Sequence, residues 1–250
     1  MEVLTSQLPS GGFGYEFSSV SIKPMNFLEI TNYIENVPKD NLEKYLFDIK
    51  VLAKDDPKIY DCYIMDVDFL IFYKKLITVS EDMSYEISVK CNECGKLIKK
   101  KINISSDIHF KQIDDKIMKG AIININDINY DVAVPTVREF LKVFETYLRY
   151  KKVTDLNMIK TISLIKNFDI NGNQIEEAIL GAKHKDITLL MALRELYFDR
   201  LEPIEIYCPE CSKITGERRG MTVSVDSLIV DFFRELYNNC PIDGSKILFK

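Results

Sequence analysis

Cys91-Asn-Glu-Cys94-Gly-Lys96 and Cys208-Pro-Glu-Cys211-Ser-Lys213 each hold two cysteines three positions apart, with a small residue directly after the second cysteine. Two residues between the thiolates allow both sulfurs to reach one metal ion, and the small residue permits a tight turn. Four thiolates complete the tetrahedral coordination that zinc takes in structural sites. We therefore predict one structural zinc ion per chain, bound by Cys91, Cys94, Cys208 and Cys211.

The two cysteine pairs are 208 − 94 = 114 positions apart, far more than within a single zinc finger. If one ion binds both pairs, the chain between them must return to its starting point, and both halves belong to one domain. The cysteine spacing also allows two alternatives: a disulfide or redox CxxC pair, and separate or vestigial metal sites. A thioredoxin-like redox pair should open a helix after a strand, whereas both pairs here lie between predicted strands.

The length, hydrophobic content and net charge of the chain limit the classes of protein to which it can belong. The chain has 250 residues, 46% of them hydrophobic, and a net charge of −5, so it can fill a core but lacks the positive field that binds phosphate backbones. No secretory signal pattern is present, and apolar runs such as 69–73 are too short to span a bilayer. We expect a protein made in the cytosol, where cysteines bind metal more readily than they form disulfides. The remaining cysteines, Cys62 and Cys240, are expected to be small buried hydrophobic residues.

Hydrophobic periodicity predicts an α+β fold that is mainly helical. Each cysteine pair lies between two strand-like segments, which predicts two β-hairpin zinc knuckles that meet at one zinc site. Pro135 followed by Thr136 and Glu139 predicts a capping box at a helix start. Two short helices are predicted before residue 50, and the further helices are predicted at about 60–75, 136–150, 155–167, 174–182, 186–200 and 226–238.

Three glycines, one proline and few apolar side chains in residues 1–14 predict a flexible segment, with Leu8, Phe13 and Tyr15 as anchors for a neighbouring subunit. Residues 15–250 are predicted to form a single zinc-stapled domain. Its parts at about 24–110 and 135–225 show the same order of a proline-led helix, further helices, a strand and CxxC. This order indicates an internal pseudo-repeat, or else a common local arrangement that two unrelated segments share.

The sequence shows no set of residues typical of an enzyme. His109 and His184 are the only histidines, and no nucleophile and base accompany them. Asp66 and Asp68 fall on different faces of a predicted helix, where solvent contact or capping is expected rather than acid–base chemistry. Gly11-Gly-Phe-Gly14 lacks the Lys-Ser/Thr of a phosphate-binding loop. We predict a protein without catalytic residues.

Three features together carry a family resemblance. The chain opens with Leu8-Pro-Ser-Gly-Gly12, has Asp186, Leu189-Leu190 and Arg194 on a predicted helix, and continues through a strand into Cys208-Pro-Glu-Cys211. In this order the chain resembles the baseplate hub and assembly proteins of contractile-tailed phages of the T-even type.

The sequence departs from that family at two places, because Cys91-Asn-Glu-Cys94 lacks the proline and Gly12-Phe-Gly14 replaces an aromatic-rich turn. The resemblance implies a non-enzymatic structural or assembly component of the baseplate, in its hub or wedge region. Its partners would be other phage tail and baseplate proteins, with no membrane, nucleic acid or small-molecule substrate. It would act in the host cytoplasm during assembly and then in the virion tail baseplate.

The alternative function is a zinc-ribbon regulatory protein that binds nucleic acid. That function requires the basic stretches Lys99-Lys-Lys101 and Arg218-Arg219 to lie on one face, and the acidic net charge argues against it. A third interpretation, an enzyme with a zinc-stapled lid, requires a pocket of convergent titratable groups that the sequence does not show.

Overall fold

The computed structural model describes residues 1–79, 84–103, 107, 109–125, 128–150, 156–166, 184–198, 202, 204–215 and 220–223. Within these residues the fold is α+β, as predicted, with helices and four two-stranded antiparallel sheets. No helix among them combines the length and the apolar character needed to cross a bilayer.

The sheets pair β1 with β2, β3 with β4, β5 with β6 and β7 with β8. The strands are β1 (Glu2–Leu4), β2 (Ser19–Ser21), β3 (Ser84–Lys90), β4 (Leu97–Asn103), β5 (Ala121–Ile125), β6 (Ile128–Val132), β7 (Ile204–Tyr207) and β8 (Gly220–Val223). The α-helices are α1 (Phe27–Asn36), α2 (Asn41–Ala53), α3 (Ile64–Val79), α4 (Asp115–Met118), α5 (Val137–Tyr150), α6 (Leu156–Ser163), α7 (His184–Phe198) and α8 (Pro209–Thr215). Two 3₁₀ turns lie at Thr5–Gln7 and Pro57–Asp61.

Helix starts follow from local side-chain capping. The predicted capping box is present at α5, where the Thr136 backbone N–H donates to Glu139 at 2.7 Å and the Glu139 N–H donates to the Thr136 hydroxyl at 3.4 Å. The same reciprocal arrangement joins Asn26 and Glu29 at the start of α1. The predicted helices at 174–182 and 226–238 lie outside the described residues.

One hydrophobic core contains residues from both halves of the chain. Leu70 of α3, Phe140 of α5, Ile159 of α6 and Tyr197 of α7 are all essentially inaccessible to solvent and belong to this core. Backbone bonding also joins the halves, because the Ile64 N–H donates to the Pro135 carbonyl at 3.0 Å. The N-terminal half therefore packs directly on helices that follow residue 135. The predicted internal duplication stays a prediction.

The N-terminal segment, residues 1–14, differs from the predicted flexible segment. Val3 and Leu8 are buried in the core, and β1 pairs with β2 in register. The Ser10 N–H donates to the Asp66 carboxylate at 2.8 Å, and the Pro9 carbonyl accepts from the Ile113 N–H at 3.0 Å. The segment is therefore anchored in two ways. Its few apolar side chains are buried in the core, and its backbone polar groups form hydrogen bonds with residues far along the chain.

Candidate metal centre

The first cysteine pair lies at the tip of a regular hairpin. Strands β3 and β4 pair in register up to Lys90 opposite Leu97, and residues 91–96 connect them. The Cys91 N–H donates to the Lys96 carbonyl at 2.8 Å, and the Gly95 N–H donates to the Cys91 carbonyl at 2.9 Å. Gly95 has φ +71°, a conformation that side chains disfavour. The tight turn expected after Cys94 is therefore present.

The second cysteine pair is built differently from the prediction. Strand β7 leads into Cys208, and helix α8 begins at the next residue, so Cys211 lies inside a helix. Pro209 suits the first helical position, because the missing N–H would have no partner there. The Ser212 N–H donates to the Cys208 carbonyl at 3.0 Å, so no tight turn is needed after Cys211.

The order of strand, CxxC and helix at Cys208 is the order found in thioredoxin-like redox pairs, so the local structure here is compatible with a redox pair. The arrangement of the four sulfurs favours a metal site instead. The four Sγ atoms of Cys91, Cys94, Cys208 and Cys211 all lie within 4.8 Å of one another. The Cys91 and Cys211 sulfurs are 3.9 Å apart, and those of Cys94 and Cys208 are 3.7 Å apart. A redox pair needs two cysteines, whereas four convergent sulfurs can bind one metal ion.

Burial and side contacts define the surroundings of this cluster. Cys91, Cys208 and Cys211 are buried, Cys94 is exposed, and Ile98 packs against the buried sulfurs. An ion pair between Lys96 and Glu210, at 2.6 Å, joins the β3–β4 turn to helix α8. The Lys100 ammonium donates to the Glu205 carbonyl at 3.1 Å. The two hairpins therefore touch through polar contacts beside the sulfurs as well as through the sulfurs.

Ionisation of the cysteine thiols would create negative charge that a bound cation can balance. The backbone N–H groups of Cys94 and Glu93 donate to the Cys91 sulfur and lower the pKa of that thiol to about 7, so it ionises readily. The pKa of Cys211 is instead raised, first by its hydrogen bond with Cys94 and then by burial. Sulfurs this close cannot all ionise unless a positive charge lies among them, which a bound metal ion would supply.

No protein-family model, curated protein or solved structure matches this chain. The phage resemblance therefore stays a prediction.

Sequence reasoning missed the role of Asp66. Solvent contact or capping was expected, but Asp66 is fully buried and accepts from the Ser10 N–H at 2.8 Å and from the Tyr15 hydroxyl at 2.5 Å. Tyr15 in turn accepts from the Tyr63 N–H at 2.7 Å. Burial raises the pKa of Asp66 to about 6. The apolar residues on every side of this aspartate in α3 were the available signal.

Asp68 is likewise a structural group. It accepts from the Tyr45 hydroxyl at 2.5 Å and from the Lys160 ammonium at 2.7 Å, and the latter bond joins α3 to α6. Cys62 is fully buried, and burial raises its pKa to about 12, in agreement with the prediction of a small buried hydrophobic residue. Cys240 lies outside the described residues.

A cavity of about 460 Å³ lies between α1, α2 and α3. Its lining includes Lys74 and Asp55, which bond to each other at 2.6 Å. The same lysine also donates to the Lys23 carbonyl at 2.8 Å, and the aspartate accepts from the Lys23 N–H at 2.8 Å. Lys74 and Asp55 therefore pair with each other and hold the backbone of Lys23, which lies just before α1.

Proposed function

We propose that this chain is a non-enzymatic structural or assembly component of a contractile-tail phage baseplate, whose fold is stapled by one zinc ion on Cys91, Cys94, Cys208 and Cys211. The observation that supports the zinc staple is the convergence of four sulfurs from two hairpins that are 114 positions apart. Zinc–thiolate bonds of about 2.3 Å in a tetrahedron place the sulfurs about 3.8 Å apart. The sulfur separations of 3.7 and 3.9 Å agree with that geometry.

Four protein sulfurs leave no coordination position for water or substrate, so the ion acts as a cross-link. The formal charge of zinc with four thiolates is 2 − 4 = −2, and Lys96 lies close enough to Cys94 and Cys208 to feel their charge. Each hairpin belongs to a different half of the chain. Metal binding would therefore couple the stability of the first half to that of the second.

The phage assignment is supported by the resemblance, and its opening motif has a structural role in this chain. Leu8 fills the core, and Ser10 is fixed by Asp66, so the motif is part of the folded domain. Gly12 has φ +81°, and a side chain there would meet Thr5 at 3.0 Å, which accounts for glycine in the opening. A well-anchored N-terminal loop is a rigid surface that a neighbouring subunit can recognise with little ordering cost.

The nucleic-acid alternative is weakened by the contacts of the basic stretch on β4. Lys99 pairs with Glu86 at 3.2 Å, and Lys100 donates to the Glu205 carbonyl. Glu86, Glu205 and Glu210 also interrupt the basic charge around the hairpins, which a phosphate backbone would disfavour. Arg218 and Arg219 lie outside the described residues.

A nonsense mutation in this gene, within the phage that carries it, tests the proposal. Electron microscopy of the lysate should show filled heads without complete tails, and the intact gene supplied in trans should restore infectious particles. Mass spectrometry of particles and lysate then separates a retained baseplate part from a transient assembly factor. Normal tails and normal infectivity in the mutant would refute the assembly function, whatever the zinc content of the protein.

A further inference from the structure

The pairing of sulfurs across the two hairpins has a chemical consequence. We propose that the four-cysteine centre is also an oxidative modification site, which a hydroperoxide converts from the zinc-bound form into two cross-hairpin disulfides, Cys94–Cys208 and Cys91–Cys211. This inference rests on the zinc site of the proposed function. It follows from the exposure of one sulfur and from the positions of the nearby ones.

Cys94 is the entry point for the oxidant. It is exposed, whereas Cys91, Cys208 and Cys211 are 5%, 1% and 7% accessible. Zinc keeps all four cysteines as thiolates, the form that attacks peroxides. A small oxidant in solution therefore reaches one nucleophilic sulfur first, and that sulfur has a second sulfur from the other hairpin 3.7 Å away.

The chemistry balances with hydrogen peroxide as the oxidant. The Cys94 thiolate attacks one peroxide oxygen, the O–O bond breaks and hydroxide leaves, which produces a sulfenic acid. The Cys208 thiolate then attacks the Cys94 sulfur, the S–O bond breaks and a second hydroxide leaves. Two protons from solvent convert the hydroxides to water, so two thiolates lose two electrons and one peroxide gains them. Zinc, with two ligands lost, dissociates.

The second pair reacts in the same way with a second peroxide. Cys91 and Cys211, 3.9 Å apart, form the other disulfide once zinc has left. Both bonds join one hairpin to the other, so the covalent links replace the metal as the staple. Disulfides within each CxxC pair would instead leave the hairpins unconnected. The predicted product therefore preserves the tertiary connection in an oxidising medium.

The sequence allows a direct map of the product. A glutamate lies between the two cysteines of each pair, Glu93 in the first and Glu210 in the second. A protease that cleaves after glutamate separates all four cysteines into different peptides. Mass spectrometry of the unreduced digest then identifies each disulfide without ambiguity.

The experiment treats the zinc-loaded full chain with increasing hydrogen peroxide and follows zinc release with a chromogenic chelator. We expect full loss of zinc, a mass decrease of two hydrogens per disulfide relative to the reduced metal-free chain, and peptides that link Cys94 to Cys208 and Cys91 to Cys211. Zinc retention in excess peroxide would overturn the inference. So would disulfides within each CxxC pair, or further oxidation of Cys94 without a cross-link.

Two variants keep the result interpretable. Cys62→Ser, a change at a buried thiol outside the centre, should release zinc and form both cross-links like the unmodified chain. Cys94→Ser removes a zinc ligand, so this variant is reduced, stripped of metal and then treated with peroxide. It should form the Cys91–Cys211 cross-link alone, and a disulfide from Cys208 to Cys91 or Cys211 would contradict the proposed pairing. Protein that contains no zinc before treatment would refute the zinc staple itself, and its disulfide map would still report the pairing.

Discussion

Replacing Asp66 with Asn should change how the stability of this protein depends on pH. Asp66 lies in the first turn of α3, is fully buried and accepts hydrogen bonds from Ser10 and Tyr15. Asn has nearly the same shape and can accept one of these bonds, but it cannot ionise. The difference between the two proteins therefore isolates the ionisation of one buried carboxyl group.

The direction of the effect follows from the pKa. Burial raises the pKa of Asp66 from 3.8 to about 6, so the folded protein keeps its proton in a pH range where the unfolded chain has released it. The folded state binds more protons there, and stability falls as the pH rises through that range and levels off above it. The full shift corresponds to roughly 3 kcal/mol, and about half of that loss falls between about pH 5 and pH 7.5.

Urea unfolding at several pH values, followed by circular dichroism, measures this effect. The wild-type chain should lose about 1 to 1.5 kcal/mol relative to Asp66→Asn between about pH 5 and pH 7.5. Release of a bound metal ion at low pH would affect both proteins equally and would cancel in the difference. A constant difference, or a wild-type chain that gains stability with pH, would refute the argument that burial outweighs the hydrogen bonds to this carboxylate.

The remaining predictions concern the staple, a buried ion pair and one glycine. Elemental analysis should find about one zinc per chain. Cys208→Ser should loosen both hairpins in hydrogen exchange, because binding of structural zinc contributes on the order of 10 kcal/mol to the stability of the fold. Loosening confined to the second hairpin would indicate independent sites. Lys75→Met removes the ammonium that lies 2.6 Å from the buried Asp48 carboxylate, which then keeps the hydrogen bond from the Tyr33 hydroxyl but loses its ion-pair partner. The change should cost roughly 3–5 kcal/mol in urea unfolding, and a cost below about 1 kcal/mol would contradict this. Gly120→Ala should cost roughly 1–3 kcal/mol by the same assay, because φ is +90° and the new Cβ would lie 2.5 Å from the Val132 carbonyl; an unchanged midpoint would show that the turn relaxes.

The cysteine cluster could be predicted from sequence because its chemistry depends on spacing that is visible in the chain. The cap at Thr136 and Glu139 could be predicted for the same reason, since both partners lie within one helical turn. The helix after Cys208 was missed, although Pro209 at a first helical position was a usable signal. Sequence patterns therefore predicted the features that depend on residues a few positions apart, such as the cysteine spacing within each pair and the helix cap.

The N-terminal segment shows where such reasoning ends. Its composition resembles a flexible terminus, but it is anchored by β2 and by Asp66, which is 56 positions away from Ser10. The burial of Asp66 depends on the same contact, so neither feature can be deduced without the other. Hydrophobic periodicity does not reveal tertiary contacts between distant segments, and such contacts both anchor the terminus and bury the carboxyl group whose pKa is raised.

The separation of the two cysteine pairs also affects the protein while it is being synthesised. Cys94 leaves the ribosome 114 residues before Cys208, a delay of about 6 to 23 s at roughly 5–20 residues per second. During that time the first pair can supply only two of the four ligands of a metal ion. Small thiols or another nascent chain can supply the other two. If the proposed zinc staple forms, the second pair must displace such temporary ligands when it emerges.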